Sequence, residues 1–210
     1  MPRGSRCKEK FSLKGRFVFF ATGNVHKFNE ARSILTKLDI GVGMLKVKDN
    51  EIQSDSLKEI AQTSAQDAFK RCHLPVIVED AGLFIDALNG FPGPYAAYAY
   101  KTIGNKGVLK LMETVENRKA LFQSAFAYCD SEAEAPLLFE GEAEGEITVN
   151  EREGNGRSGF GFDPIFRPSG NIQTFAQMTI EEKNDFSHRA KGFRKFAEWY
   201  KLSNEKNLMK

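Results

Sequence analysis

The stretch LPVIVEDAGLFID, residues Leu74–Asp86, combines a short apolar run with two adjacent carboxylates and a glycine. Its β-branched segment, Val76–Val78, predicts a strand that is buried on both faces, and Pro75 can stand only at its start. We expect Ala81-Gly82 to end this strand directly after Glu79-Asp80. Because ligands of open α/β sheets bind outside the carboxyl ends of strands, the acid pair is a candidate site, and a solvated acidic loop is the alternative.

Length and composition predict a soluble globular protein. The chain has 210 residues, of which 41% are hydrophobic and 28% charged, enough for one ordinary domain or two small lobes. No apolar run approaches the roughly 18 residues of a membrane span, so we expect a cytoplasmic protein without a membrane partner. Cys7, Cys72 and Cys129 are widely spaced and predict reduced thiols, the last two in the core. A net charge of +2 gives no reason to expect nucleic-acid binding.

The charge distribution suggests where the domain begins and ends. Residues 1–16 hold six basic side chains and only one acidic side chain, Glu9. We predict that 1–16 is a flexible basic tail, that one domain spans 17–200, and that 201–210 is a C-terminal tail.

A strand, a glycine turn and a helix start follow one another near the N-terminus. Phe17–Ala21 predicts a buried strand, and the helical spacing of apolar residues begins at Phe28, with Asn24 placed as N-cap. Backbone N–H groups and the helix dipole at such a turn attract phosphate, and Lys27 adds a full charge. The alternative is a plain turn with a capping asparagine.

The middle of the chain predicts helices and strands to which we assign no functional role, apart from Glu51. Leu45 and Val47 suggest a half-exposed strand, and Ser56 with Glu59 predicts a capping box that opens an amphipathic helix. Glu51, just before that helix, either points towards Asp80 or is a surface acid. Core packing accounts for the remaining elements, which are an ordered loop at 89–95, a helix at 105–116, and antiparallel strands at 121–129 and 137–149.

Two further segments carry candidate binding residues. The stretch Gly154–Arg167, GNGRSGFGFDPIFR, is rich in glycine and phenylalanine, so backbone and ring can approach a base; a flexible hairpin tip is the alternative. Lys183 lies in a short helix capped by Thr179, and His188-Arg189 opens the last helix. These side chains could bind phosphate or base, and a basic surface face is the ordinary interpretation.

Five motifs in this order resemble the inosine triphosphate pyrophosphatase family, from about Phe17 to Trp199. They are TGNVHK at 22–27, EIQ at 51–53, VEDAGLFIDALNGFPGPY at 78–95, SGFGFDPIF at 158–166 and EEKNDFSHR at 181–189. The resemblance implies an α/β fold with an elongated central mixed sheet, flanked by helices in two lobes with an active-site cleft between them. It also implies a homodimer and a Mg²⁺ cofactor. The strand pattern alone suggested a more parallel sheet.

The resemblance also assigns roles to individual residues. It implies that Glu51 and Asp80 hold the metal and that Asp80 accepts a proton. The triphosphate would be cradled by Thr22, Gly23, Asn24, Val25, His26 and Lys27, and the nucleotide bound by Phe160, Gly161, Phe162, Asp163, Lys183, His188 and Arg189. The family usually has Ser or Thr where this chain has Ala81, so a hydroxyl contact to the substrate is missing or is replaced by water.

The implied activity is Mg²⁺-dependent hydrolysis of non-standard purine nucleoside triphosphates (ITP, dITP and XTP) to the monophosphate and pyrophosphate. Water attacks the α-phosphorus while cations neutralise the phosphate oxygens. Ala81 and the basic tail motivate an alternative, a nucleotide- or RNA-binding regulatory module that does not turn over. A third interpretation, the related pyrophosphatases that act on modified pyrimidines, does not predict the SHR motif at 187–189.

Overall fold

Seven strands form one mixed sheet in the computed structural model, which describes residues 16–47, 52–154 and 159–208. The strands are β1 (Phe17–Ala21), β2 (Gly41–Leu45), β3 (Val76–Ile85), β4 (Pro92–Gly93), β5 (Lys119–Cys129), β6 (Leu137–Ile147) and β7 (Phe166–Pro168). They lie in the order β2-β1-β3-β5-β6-β7, with β4 paired to β3. Strands β2, β1 and β3 are mutually parallel, and the remaining pairs are antiparallel. The expected mixed sheet is confirmed.

Strand β3 continues through the acid pair. Its first residues, Val76–Val78, pair with β1, and all of its residues pair with β5, including Ala81 opposite Ser124. The expectation that Ala81-Gly82 ends the strand is therefore wrong, because the antiparallel ladder with β5 keeps the glycine extended. A Cβ at Gly82 would lie 2.6 Å from the carbonyl oxygen of Gly93, so this glycine instead lets β4 approach.

Six helices cover the described parts of the sheet, and none of them is long and apolar enough to cross a membrane. They are α1 (Val25–Thr36), α2 (Leu57–Cys72), α3 (Ala96–Thr102), α4 (Gly104–Leu111), α5 (Ile180–Phe186) and α6 (His188–Leu208). Short 3-10 turns occupy 86–88, 163–165 and 175–177.

Three helix starts have the predicted capping residue. Asn24 caps α1, and Thr179 forms a complete capping box with Glu182. At α2 the box is half formed, because Ser56 accepts from the Glu59 N–H while the Glu59 carboxylate accepts from Ser54.

Several element boundaries differ from prediction. The helix expected at 105–116 ends at 111, and the strand expected around 45–47 is Gly41–Leu45. The strand expected at 121–129 begins at 119, and the one expected at 137–149 ends at 147. Helix α3, after the predicted loop, was not expected.

The two faces of the sheet bury different helices. On one face α1 and α6 pack with Phe20, Ile77 and Phe126, and on the other α2 packs with Val76 and Val78. Because side chains alternate along a strand, Glu79 shares the α1–α6 face with Ile77, and Asp80 shares the α2 face with Val78. A third apolar cluster surrounds the C-terminal half of β3, the far half, at Leu83 and Ile85. The division into two lobes stays a prediction.

Two glycines bring α6 directly onto the sheet. A Cβ at Gly141 of β6 would collide with the carbonyl oxygen of His188, and a Cβ at Gly192 of α6 would collide with the Phe126 ring. The start of α6, with His188-Arg189, can therefore lie against the strands. Cys129 is buried as predicted, whereas Cys72 is only half-buried because it stands at the end of α2.

Candidate functional site

The candidate site lies at a gap along one edge of β3. On this edge β1 ends at Ala21, opposite Val78, and β4 begins to pair only at Leu83. Residues 79–82 therefore have no strand partner on that edge among the described residues, although β5 pairs with them on the other. The gap joins the two faces of the sheet, so Glu79 from one face and Asp80 from the other border the same opening.

The turn after β1 leaves two backbone donors for a ligand. The Asn24 side chain accepts from the N–H groups of His26 and Lys27, at 2.9 and 3.3 Å. Gly23 and Val25 are exposed, and their N–H groups donate to no residue in the described ranges. The predicted strand, turn and capped helix start are thus present, and the asparagine satisfies part of the helix start. Phosphate binding at this turn stays a prediction. Thr22 supports the turn from within, since its Oγ1 accepts from the Asn24 N–H at 3.1 Å.

A connected set of six charged side chains, which we call the charge chain, lies on the α1–α6 face beside the gap. In order of contact its members are Lys27, Glu79, Arg189, Glu30, Lys183 and Asp163. All except Lys27 have side chains that are at most 4% exposed. The interpretation of Lys183, His188 and Arg189 as a basic surface face is wrong, because the sheet and α1 cover all three.

The contacts within the charge chain are short, except at one end. Arg189 donates from Nε to Glu79 Oε2 at 2.9 Å and from Nη1 to Glu30 Oε2 at 2.5 Å. Lys183 Nζ donates to Glu30 Oε1 at 2.7 Å and to Asp163 Oδ2 at 2.6 Å. Lys27 Nζ lies 3.5 Å from Glu79 Oε2, and the Lys27 side chain is 19% exposed. Lys27 is thus the cation that can most readily turn to a phosphate.

Burial and ion pairing set the protonation of these groups. Burial acts to raise the pKa of Glu79 and of Glu30, but the neighbouring cations outweigh it and hold both pKa values below the usual 4.5. For Asp163 burial prevails and raises its pKa despite Lys183. Burial, reinforced by Arg189, lowers the pKa of His188 well below 6.5, so its ring is neutral at physiological pH.

Phe160 forms an aromatic wall next to the charge chain. Its ring stacks on His26, with centroids 5.2 Å apart and planes at 16°, and Lys183 Nζ lies 4.9 Å from the ring centroid. The Phe160 N–H donates to Asp163 Oδ2 at 2.9 Å, and Gly161 adopts a positive φ of 62° that turns the loop. An aromatic ring can stack on a base, although in this structure His26, Lys183 and Arg189 already contact the Phe160 ring.

Phe162 is placed differently from its neighbour Phe160. It is 4% exposed, belongs to the apolar cluster at the far half of β3, and packs edge-on against Tyr100 at 5.6 Å. Its ring thus fills the core, and its predicted contact with the nucleotide stays a prediction. Nothing marked this difference in the sequence, where both residues flank the same glycine.

His188 lies deeper than the aromatic wall. Its ring stacks on Phe122 with centroids 4.7 Å apart and planes at 9°, and its Nδ1 is buried without a hydrogen-bond partner among the described residues. A buried polar atom of this kind favours a ligand group or water that satisfies it.

Asp80 is the member of the predicted metal-binding pair that lies within the described residues. Asp80 is half-buried at the gap and is followed by the half-buried Ala81, whereas Glu51 lies outside the described residues. Within those residues no group of three His, Cys, Asp or Glu side chains could hold a metal. One carboxylate still suits Mg²⁺, which commonly binds one or two carboxylates together with substrate phosphates. Glu79 cannot serve as the second ligand in this arrangement, because it faces the other side of the sheet and is paired with cations.

Glu30 is a functional candidate that the sequence interpretation missed, and Glu79 was singled out only as a member of the acid pair, without its buried ion pairs. Glu30 stands one helical turn before Ile34, on the buried face of α1, and Glu79 stands two residues after Ile77, on a buried face of β3. A carboxylate at the apolar period of a helix or strand is the signal that could have identified both. Ser124, which donates to Glu79, had no such signal.

Most of the chain is similar to proteins of one family. The sequence profile of the Ham1 family matches residues 18–199. The chain is 52% identical over 184 residues to the dITP/XTP pyrophosphatase of Methanopyrus kandleri, with 88% of this chain and 96% of that protein covered. It is 48% identical over 182 residues to that of Thermococcus kodakarensis, with coverages of 87% and 96%.

Solved structures give the same result for the fold. A HAM1 protein from Coxiella burnetii superposes with a TM-score of 0.77 at 30% identity, covering 89% of this chain and 99% of its own. The Ham1 protein of Staphylococcus aureus superposes with a TM-score of 0.73 at 27% identity, covering 90% and 100%. By sequence over nearly all of its folded length and by the arrangement of its sheet, the chain belongs to the Ham1 family.

Proposed function

We propose that this protein hydrolyses the non-standard purine nucleoside triphosphates ITP, dITP and XTP to the nucleoside monophosphate and pyrophosphate, in a Mg²⁺-dependent reaction in the cytoplasm. The observation that carries the proposal is the gap at residues 79–82. Asp80 lies in this gap, the Lys27 cation contacts the backbone oxygen of Glu79 there, and the exposed Gly23 and Val25 belong to the turn that precedes Lys27, which supports a phosphate site at the gap. Relatives named dITP/XTP pyrophosphatase, at up to 52% identity, support the substrate class.

The phosphates would lie along the turn after β1. The N–H groups of Gly23 and Val25 and the Nζ of Lys27 supply donors and positive charge at the start of α1. The sheet edge at 79–82 lies beside them, since Lys27 Nζ also donates to the backbone oxygen of Glu79 at 3.4 Å. The α-phosphorus is thereby brought next to β3.

Asp80 is the residue we assign to orient and deprotonate the attacking water. It is the half-buried carboxylate on the α2 face of the gap, whereas Glu79 lies on the other face and is held by Arg189. A positioned base of this kind typically contributes about 10² to 10⁴ in rate. Pyrophosphate then leaves towards Lys27 and the turn.

Asp80, with Glu51 as its expected companion, would hold the Mg²⁺. Bound Mg²⁺ neutralises phosphate oxygens and stabilises the charge that develops on them in the transition state. The residues described here fit that ion through the oxygen donors of Asp80 and the triphosphate itself.

Base recognition is assigned to the start of α6 and the Phe160 wall. The accepted purines carry a carbonyl at C6 where adenine carries an amino group, so a fixed donor distinguishes them. Arg189 is rigid because two carboxylates hold it, and its Nη2 has no partner among the described residues. Sites built to hydrogen-bond a substrate group can discriminate by about 10⁴ or more. Guanine also carries the C6 carbonyl, so it must be excluded through its 2-amino group. We assign this exclusion to the buried, tightly packed surroundings of the neutral His188 ring.

The test is identification of the products formed from ITP with Mg²⁺. We expect IMP and pyrophosphate in equal amounts, and loss of turnover on chelation of the metal. IDP and orthophosphate as the first products would overturn attack at the α-phosphorus. Tight ITP binding without any product would favour the alternative, a regulatory module that does not turn over.

We also propose that the protein is a homodimer. Helix α3 and the loop before it expose several large aromatic side chains, with Tyr98 70% exposed and Tyr95 and Tyr100 more than 40% exposed. Clustered exposed aromatics are typical of protein interfaces. Light scattering of the wild type and of Tyr98→Glu tests this proposal. A monomeric wild type contradicts the homodimer, and a dimer that the substitution leaves intact contradicts the assignment of its interface to α3.

A further inference from the structure

Glu79 holds two cations on a single oxygen. Its Oε2 accepts from Arg189 Nε at 2.9 Å and lies 3.5 Å from Lys27 Nζ. Its other oxygen, Oε1, accepts from Ser124 Oγ at 2.5 Å. The Glu79 side chain is 0% exposed, so these groups replace solvent around the carboxylate.

The two cations are anchored in different ways. Arg189 has a second anchor, because its Nη1 donates to Glu30 at 2.5 Å. The Lys27 Nζ has polar contacts within the described residues only to Glu79, with Oε2 at 3.5 Å and the backbone oxygen at 3.4 Å. Both distances exceed the roughly 2.7–2.9 Å of a strong charge-assisted bond. The position of Lys27 therefore depends on Glu79, whereas that of Arg189 does not depend on it alone.

Ser124 is the rigid member of this arrangement. It lies in β5 opposite Ala81, is 2% exposed, and its backbone is fixed by pairing with β3 and β6. The terminal torsion of a glutamate is broad, so a carboxylate held only from the Arg189 side can rotate. Rotation would move Oε2 away from Lys27.

We propose that Ser124 is a positioning residue for phosphate binding, because it orients Glu79, and Glu79 in turn holds Lys27 at the gap. This inference rests on the proposed function, which gives Lys27 its phosphate. It extends the site to β5, a strand that none of the five sequence motifs covers.

The first experiment compares Ser124→Ala with a matched control, Thr148→Val. Thr148 is 4% exposed, and its Oγ1 donates to the backbone oxygen of Asn150 at 2.7 Å, so it belongs neither to the charge chain nor to the gap. Each substitution removes one buried hydroxyl that donates a hydrogen bond, so similar changes in Tm are expected. With ITP and Mg²⁺, Ser124→Ala should raise KM about 3- to 10-fold with kcat within about 2-fold, because binding energy is lost equally in ground and transition states. Thr148→Val should leave both unchanged.

The second experiment asks whether Ser124 acts through Lys27. If it does, Lys27→Ala and the double variant Lys27→Ala/Ser124→Ala should have the same kcat/KM, since the group being positioned is already gone. Losses that multiply in the double variant overturn the proposal, as does an unchanged KM in Ser124→Ala. A wild type that releases no pyrophosphate overturns the proposed function instead, and the same cycle is then measured by equilibrium binding of ITP.

Discussion

Neutralising Glu79 should destabilise the protein far more than neutralising an exposed glutamate that also forms an ion pair. Glu79→Gln keeps the size of the side chain but removes the charge shared by Arg189 and Lys27, inside a site where the carboxylate is 0% exposed. Removing one partner of a buried pair costs about 3 to 5 kcal/mol. We expect the lower end, about 3 kcal/mol, because the amide can still accept from Arg189 and Arg189 keeps Glu30.

The matched control is Glu140→Gln. Glu140 pairs with Lys58 at 3.0 Å, but the two side chains are 47% and 52% exposed, and such pairs contribute about 0 to 1 kcal/mol. For a chain of this size 1 kcal/mol corresponds to about 2 to 4 °C in Tm, so Glu79→Gln should lower Tm by about 6 to 12 °C and Glu140→Gln by less than about 4 °C. Thermal and urea unfolding measure both. Equal shifts for the two variants would refute the reasoning that burial decides the strength of the pair.

Three further outcomes are expected. Asp80→Asn should keep the wild-type circular dichroism spectrum and lower kcat by at least about 10², and a kcat within tenfold of wild type would move the base elsewhere. The free energy of unfolding should fall between pH 6.5 and 5 by up to about 1.4 kcal/mol per pH unit. The lowered pKa of His188 keeps its ring neutral while the unfolded chain takes up a proton. Urea unfolding of His188→Gln at several pH values should give a free energy of unfolding that falls less steeply towards low pH than that of the wild type. An equally steep fall would assign the loss to other groups. Removing residues 1–14 should change kcat/KM by less than about twofold, because β1 begins at Phe17; a larger loss would reveal a role for the tail.

Local chemistry could be predicted from the sequence because its partners are close in the chain. Asn24 caps the N–H groups of His26 and Lys27, which are two and three positions further along the chain. Thr179 forms its capping box with Glu182, three positions further along. The spacing of side chains alone identifies such features. The positions of Asn24, Lys27 and Asp80 beside the gap follow from this local order together with the pairing of β1 and β3.

Long-range contacts were not predictable in the same way. Arg189 meets Glu30 across 159 residues, and Lys183 meets Glu30 across 153, so no local pattern indicates that these cations are already paired. The end of β3 was misplaced because its continuation depends on β5, some 40 residues further along the chain. The burial of Phe162 likewise depends on packing against α3. The role of Glu51 stays a prediction, since it lies outside the described residues.

The charge chain also bears on how the products leave. Its three carboxylates cancel the formal charge of its three cations, and Lys27, at the exposed end, is held most loosely. Pyrophosphate is a small, highly charged anion that a pocket with three uncompensated cations would retain after the bond is cleaved. Here the departing anion has to leave little more than Lys27, two backbone N–H groups and the proposed Mg²⁺. Cations that bound substrate, transition state and product equally would not accelerate the reaction and would only retain the product. A charge chain that is neutral overall therefore favours rapid release of pyrophosphate.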